Sequence, residues 1–81
     1  MDAKKNRIGG WLREARLSER PKATQEEVSA RLATMGVSLS ASSIGKIENG
    51  TRPVTDIQLC ALAKALKVTT AWLLGETAEK N

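Results

Sequence analysis

The segment from Ser40 to Pro53 constrains the fold of this chain more than any other part of its sequence. Ser40 suits the N-cap of a helix, because a serine hydroxyl can accept a hydrogen bond from a free backbone amide of the first turn. Gly50 suits the left-handed conformation that often follows a helix, and Pro53 prevents the helix from resuming. The segment is therefore predicted to form a short helix with a defined start and end.

This predicted helix has one apolar side and one small, polar side. Ile44 and Ile47 lie three positions apart and share a face. The other side carries Ala41, Ser42, Ser43, Lys46 and Asn49. A helix whose leading end is small and uncharged can enter a groove deeply, and the major groove of DNA is the groove that best matches it.

Helical periodicity also predicts two helices before this segment, and no part of the chain shows the alternation of a strand. The first is predicted over 6–17, with an apolar face made of Ile8, Trp11, Leu12 and Ala15. A polar loop that contains Pro21 follows. Thr24 is predicted to cap the second helix in a capping box with Glu27. Its buried stripe is predicted to comprise Val28, Leu32 and Met35, before Gly36 ends the helix.

Two further helices are predicted after the central segment. Thr55 is expected to cap the fourth, whose apolar face comprises Ile57, Leu59, Leu62, Ala63 and Leu66. Cys60 lies in this apolar run and is expected to be a small buried hydrophobic residue. A short fifth helix is predicted over 70–74. The expected fold is all-α, a compact five-helix bundle over 7–75, with a flexible basic arm at 1–6 and a frayed tail at 76–81.

Length and charge set the class of partner. With 81 residues, the chain has room for one domain with one modest core. The formal net charge of +4 favours polyanionic partners. Residues 1–23 carry seven Lys and Arg against three Asp and Glu, so the start of the chain is expected to form the positive face. The cluster of Lys4, Lys5 and Arg7 is either a solubilising tail or an arm for the minor groove.

The composition argues against an enzyme and against a metal protein. The chain has no histidine and one cysteine, which leaves no disulfide framework and no His or Cys metal site. Glu26 and Glu27 are adjacent, so they point to different sides of a helix and cannot form a catalytic carboxylate pair. No cofactor or small-molecule ligand is expected. No apolar run approaches the length of a membrane span, and a cytoplasmic protein is expected.

Several motifs together resemble the Cro/repressor (XRE) family of helix-turn-helix DNA-binding domains. They are Gln25-Glu26-Glu27-Val28, the run from Ile44 to Gly50, Arg52-Pro53, the run from Leu59 to Leu66, and Trp72-Leu73-Leu74. The resemblance covers residues 7–75 and implies a lambda-repressor-like fold. The chain departs from the family's pattern in longer connections between Arg16 and Gln25 and between Leu32 and Ile44. It also has Ala41 where many relatives have a long polar residue.

The resemblance implies a set of DNA-binding residues, each with a simpler alternative. Gln25 would meet a phosphate, or it is an ordinary first-turn residue. Ala41, Ser42 and Lys46 would face base edges, with the cap Ser40 and Ser43 close by, although Lys46 could be a solvated lysine. Asn49, Thr51 and Arg52 would hold the DNA backbone, or Arg52 bonds carbonyls between helices three and four. Arg13 and Glu48 match positions that pair across helices one and three.

The function implied is sequence-specific binding of double-stranded DNA, as a homodimer on a palindromic operator that represses transcription by occupancy. One helix face cannot bury Trp72, Leu73 and Leu74 together, so at least one is expected to be exposed and to form the dimer contact. The alternative is that Trp72 and Leu73 close the core. A rival function is an antitoxin-type module that neutralises a partner and also binds DNA. Binding of single strands is disfavoured, because the chain has no Phe or Tyr for stacking.

Overall fold

A computed structural model describes residues 4–80 and contains five α-helices within that range, without a strand. They are α1 (Gly9–Leu17), α2 (Gln25–Thr34), α3 (Ala41–Glu48), α4 (Asp56–Leu66) and α5 (Thr70–Leu73). This confirms the all-α prediction, although α1 begins three residues later than predicted and α5 ends one residue earlier. Residues 1–3 of the predicted arm and residue 81 of the predicted tail lie outside the described residues. In the described range, no helix is long and apolar enough to cross a bilayer.

The core forms where all five helices converge. Helix α2 packs on α3 and α4, and α1 packs on α3, α4 and α5. The largest fully buried side chains are Leu12, Val28, Leu32, Ile44, Ile47, Leu62 and Leu73. Each side chain of this kind contributes about 1.5–3 kcal/mol by leaving water. Since α3 supplies two of them, its apolar face is part of the core.

Side-chain caps begin four of the helices. The hydroxyls of Thr24, Ser40, Thr55 and Thr69 each accept a hydrogen bond from the amide three residues later. Both predicted caps of α2 and α3 are thereby confirmed. The reciprocal capping box is formed by Thr55 and Gln58 in α4, whereas at α2 only the bond from the amide of Glu27 to Thr24 is present.

Helix α1 approaches the end of α3 so closely that a glycine is required. A Cβ atom on Gly9 would lie 2.8 Å from the carbonyl oxygen of Glu48 and would also overlap the carbonyl oxygen of Ile47. The next glycine, Gly10, faces open space. The absence of a side chain at Gly9 therefore lets α1 pack directly on the C-terminal end of α3.

The two long connections take different paths. The loop 18–24 before α2 buries Ala23, whose amide donates to the carbonyl of Arg16. The second connection, 35–40, begins after α2 has ended and buries Leu39. The hydroxyl of Ser29 donates to the carbonyl of Leu39 at 2.6 Å. The extra residues between α2 and α3 are therefore packed onto α2.

Three residues predicted to be buried in α2 and α4 are exposed. Ile57 is 70% exposed, Met35 is 40% exposed, and Cys60 is also exposed. Met35 follows the last residue of α2, so its side chain does not continue the apolar stripe of that helix. The buried face of α4 comprises Ala61, Leu62, Ala63, Ala65 and Leu66. This face, on which α1, α2 and α5 pack, does not include Ile57 or Cys60.

The C-terminal helix contributes to the core. Trp72 and Leu73 are buried, and Leu74 is half-buried against the core. The alternative in which Trp72 and Leu73 close the core is the one found, and these two side chains are not available as an exposed dimer contact. Trp11, also predicted to be buried, is 43% exposed and packs edge-to-face on Trp72, with ring centroids 5.3 Å apart.

Both terminal segments make contacts within the described range. The amide of Lys5 donates to the carbonyl of Gly50 at 2.9 Å, beside the end of α3. At the other end, the amide of Thr69 donates to the carbonyl of Lys80 at 2.7 Å. The ammonium of Lys80 lies 5.1 Å from the ring centroid of Trp72, within the range of a cation–π contact.

Candidate nucleic-acid interface

Helix α3 presents a polar surface opposite its buried face. Ile44 and Ile47 are fully buried, whereas Ser42 and Lys46 are exposed and Ala41 is half-buried. The hydroxyl of Ser40 accepts a hydrogen bond from the amide of Ser43 at 3.1 Å and closes the first turn. The helix is thus fixed by its apolar side, and the side chains at positions 42 and 46 point to solvent.

A hydrogen bond ties the start of α2 to the end of α3. The side-chain amide of Gln25 donates from Nε2 to Oε1 of Glu48 at 3.2 Å. The same side chain lies against Gly45, where an added Cβ would be 3.4 Å from Nε2. Gln25 therefore packs between α2 and α3, and its backbone amide is one of the first-turn amides of α2 that have no intrahelical partner.

The ion pair predicted between α1 and α3 is formed by a different arginine. Arg16, not Arg13, pairs with Glu48, with Nε 2.8 Å from Oε2 and Nη2 2.9 Å from Oε1. Arg16 also donates to the carbonyl of Ala23 at 3.0 Å. Arg16 lies two turns after Gly9 on the face that packs on α3, whereas Arg13 is exposed. The hydrogen bond to Glu48 raises the pKa of Arg16, so the guanidinium stays charged.

Ser43 and Arg52 contact each other. The guanidinium of Arg52 donates from Nη1 to the hydroxyl of Ser43 at 2.8 Å, and the hydroxyl of Ser40 donates to the same oxygen at 3.0 Å. The guanidinium of Arg52 therefore lies along the side of α3. It donates to a hydroxyl group, whereas the simpler alternative expected it to donate to carbonyl groups. Ser43 is engaged within the protein, while Arg52 keeps further N–H groups for an external acceptor.

The residues after α3 form a compact turn. Gly50 has a φ of +77°, as its predicted left-handed position requires. The amide and the hydroxyl of Thr51 both donate to the carbonyl of Lys46, at 2.9 and 3.1 Å. Asn49 is the exposed C-cap of α3. Asn49 and Thr51 therefore lie at the end of α3, whereas the guanidinium of Arg52 reaches back to Ser43 in its first turn.

The side chain of Asn6 makes four hydrogen bonds around this turn, and this role was not predicted from the sequence. Its side-chain oxygen accepts hydrogen bonds from the amides of Ile8 and Gly9, at 3.0 and 2.8 Å. Its Nδ2 donates to the carbonyls of Ile47 and Arg52, at 3.0 and 2.8 Å. One amide side chain thus joins the start of α1 to the end of α3 and to the loop that follows. An asparagine just before a helix is the signal that could have indicated its capping role.

The positive charge of the N-terminal segment lies beside the same turn. The side chain of Lys4 packs on Gly50, where an added Cβ would be 3.0 Å from its Cγ and Cδ atoms. Lys4 and Lys5 are both exposed. Both lysines therefore add positive charge beside the turn that follows α3. Within residues 4–80, no group of three or more His, Cys, Asp or Glu side chains could hold a metal ion.

The helices and their packing define a class of protein. Helix α3, buried on one side and polar on the other, follows α2 and is held to it by Gln25 and Glu48, as in a helix-turn-helix. A family model described as Helix-turn-helix matches residues 12–73. The chain therefore belongs to the Cro/repressor (XRE) type of this family, whose domains bind DNA and regulate transcription. Searches of curated proteins and of solved structures found no match.

Proposed function

We propose that this protein represses transcription by occupying a palindromic operator as a homodimer, in the cytoplasm. The observation that carries the proposal is the orientation of α3. Its core face holds Ile44 and Ile47, while Ser42 and Lys46 are exposed on the other side. Glu48 accepts hydrogen bonds from both Arg16 and Gln25, and these bonds hold α3 in this orientation in the absence of DNA.

Two exposed residues and one half-buried residue are suited to reading bases. The ammonium of Lys46 can donate to the O6 and N7 acceptors of guanine in the major groove. Ser42 can donate to or accept from several base edges, and the methyl group of Ala41 can contact a thymine methyl. Ser43 is assigned instead to positioning Arg52, on the 2.8 Å contact between them.

A second set of groups is suited to the phosphates on either side of the groove. The backbone amide of Gln25, in the first turn of α2, can donate to one phosphate. Asn49 and Thr51 lie at the end of α3, whereas the guanidinium of Arg52 lies beside Ser43 in its first turn, and these groups can hold other phosphates. Lys4 and Lys5 add charge beside them, so binding is expected to release counterions.

Two copies are proposed because one domain reads few base pairs. A single recognition helix contacts only a short stretch of the major groove, and helix-turn-helix proteins commonly use two helices one helical turn of DNA apart. Closed two-fold symmetry is also the commonest arrangement of homo-oligomers. A palindromic operator would match such a dimer.

The test is selection of bound fragments from random duplex DNA, followed by affinity measurements on the selected site. Enrichment of a palindromic consensus is expected. The slope of log K against log salt is expected to be about −0.9 for each neutralised phosphate. A matched control is the variant Ser42→Ala/Lys46→Ala, which should keep weak binding to any duplex but lose the consensus. Selection without enrichment, or an affinity insensitive to salt, would refute the proposal.

A further inference from the structure

An exposed apolar groove lies along α4, away from the proposed DNA-binding residues. We refer to it as the α4 groove, and it is lined by Met35, Val37, Asp56, Ile57, Cys60, Ala61 and Lys64. Its volume is about 360 Å³. Two of its residues, Ile57 and Met35, are large hydrophobic side chains that are 70% and 40% exposed. Exposed apolar residues that cluster in this way mark sites of interaction with other molecules.

The charges of the α4 groove are arranged at its two ends. Asp56 lies at the start of α4 and Lys64 in its last turn, and both are exposed. Within residues 4–80, the ion pairs are Arg16–Glu48 and Arg31–Glu19, so neither charge is used in one. A groove with opposite charges at its two ends is complementary to a copy of itself in the reversed direction. A partner surface with charges of only one sign would be repelled at one end of the groove.

We propose that the α4 groove is the contact between two copies of this chain, with their α4 helices antiparallel about a two-fold axis. In an isologous contact, each residue pair occurs twice. Asp56 of each copy thus meets Lys64 of the other. The inference rests on the proposed function in one respect, since it names the surface of the homodimer proposed above.

The charge pairing fixes the register of the two helices. Cys60 lies four residues after Asp56 and four before Lys64, so an antiparallel pairing of these charges places the two copies of Cys60 opposite each other. Positions 56, 60 and 64 also follow one side of a helix. Ile57 of each copy then lies beside the aliphatic stem of Lys64 in the other, where its exposed surface is covered.

Small residues at the centre of the groove allow a close approach. Cys60 and Ala61 are the central residues of this face of α4. Packed helices have axes about 8–10 Å apart and Cα atoms about 2.3 Å from each axis, so facing Cα atoms lie roughly 3.4–5.4 Å apart. A disulfide spans Cα atoms about 4.4–6.8 Å apart. Cys60 can therefore report on the contact through a disulfide between the two copies.

The experiment is oxidation of the full chain with copper phenanthroline, combined with sedimentation of the reduced protein. We expect a covalent dimer of the wild-type chain. Asp56→Lys and Lys64→Asp each replace two attractive contacts by two repulsive ones, and each should weaken the dimer roughly tenfold. The double variant Asp56→Lys/Lys64→Asp should restore it. Ile57→Ser should also weaken the dimer while leaving the folded monomer intact, because Ile57 is largely exposed.

Two controls separate the groove from general effects of charge and oxidation. Lys22→Asp changes the net charge as Lys64→Asp does, but lies in the exposed loop before α2 and should not alter the dimer. Cys60→Ser should sediment as a dimer like the wild type, since the disulfide only reports on the contact. A wild-type chain that stays monomeric at the highest attainable concentration would overturn the proposal. So would a dimer unaffected by either charge reversal.

The same variants distinguish failure of this inference from failure of the proposed function. If the wild-type chain forms a dimer that the two charge reversals weaken but selects no DNA, the groove is a dimer contact and the proposed function fails. If Asp56→Lys binds the selected palindrome as two copies with unchanged affinity, the DNA-binding function stands and the α4 groove is not the contact.

Discussion

Arg16 and Glu48 join α1 to the last residue of α3 through two parallel hydrogen bonds of 2.8 and 2.9 Å. Their side chains are 12% and 4% exposed. The carboxylate of Glu48 also accepts a hydrogen bond from Gln25, so one side chain connects three helices. The direction of α3 therefore depends on a nearly buried charge that is satisfied only in the complete bundle.

Loss of either partner is expected to be costly. Glu48→Gln removes the carboxylate that pairs with the guanidinium of Arg16 and should lower the free energy of unfolding by about 3 kcal/mol. Arg13→Ala is the matched control on the same helix and should change it by less than about 0.5 kcal/mol, because Arg13 is exposed. Urea unfolding measures both. Additive effects of Arg16→Ala and Glu48→Ala in a double-mutant cycle would show that the pair contributes no coupling energy.

The two adjacent glycines of α1 are expected to respond in opposite directions to alanine. Gly9→Ala places a methyl group against the carbonyls of Ile47 and Glu48 and should destabilise the fold by about 1–3 kcal/mol. Gly10→Ala meets no atom within 4 Å and should stabilise the helix by about 0.5–1 kcal/mol. Thermal unfolding of the two variants is the measurement. Equal melting temperatures would mean that α1 does not approach α3 as described.

Lys46 and Arg52 are expected to contribute differently to DNA binding, because only Lys46 is expected to contact a base. Lys46→Ala should change the base preferred at one position of each half-site and cost about 1–3 kcal/mol on the best site. Arg52→Ala should weaken binding to selected and random duplexes alike, since we propose that it contacts a phosphate. Selection repeated with each variant gives the comparison. An equal loss for Lys46→Ala on every sequence would reassign Lys46 to the phosphates.

The ion pair between Glu19 and Arg31 should contribute to stability only above acidic pH. The hydrogen bonds from Arg31 lower the pKa of Glu19 in the folded state. Its contribution is therefore present above the pKa of an unfolded glutamate, about 4.3, and is lost as the pH falls through the folded value. With side chains 34% and 29% exposed, the pair contributes about 0–1 kcal/mol.

Glu19→Gln should accordingly reduce the loss of stability on acidification, as measured by urea unfolding at neutral pH and below pH 4. Glu14→Gln, an exposed position on α1, is the control and should keep the wild-type dependence. An unchanged pH dependence in Glu19→Gln would show that the pair has no energetic role in solution.

Local features of the fold could be predicted from the sequence. Ser40, Thr24 and Gly50 were assigned from their immediate neighbours, because a cap or a left-handed turn depends on only three or four consecutive residues. The buried pair Ile44 and Ile47 followed from helical spacing, and with it the exposed side of α3. Contact of that side with DNA remains a prediction.

Features that depend on distant parts of the chain were not predictable in the same way. The periodicity of α4 shows which residues are apolar but not which neighbours cover them, so Ile57 and Cys60 were wrongly placed in the core. Arg13 and Arg16 lie one turn apart on α1. The close packing of α1 on α3 at Gly9 determines that Arg16, and not Arg13, pairs with Glu48. Trp72 and Leu73 are both buried because a short helix at the end of a bundle has neighbours on two sides, α1 and α4.

We expect Asn6 to affect the unfolding rate of the protein more than its folding rate. Its bonds to Ile47 and Arg52 join residues 41 and 46 positions apart in the chain. Contacts of such separation require closure of a long loop, and we expect them to be absent from the transition state of folding. Asn6→Ala should therefore leave the refolding rate unchanged and raise the unfolding rate in stopped-flow experiments. Asn6, which lies outside the helix-turn-helix, would then control how long the recognition helix α3 stays folded.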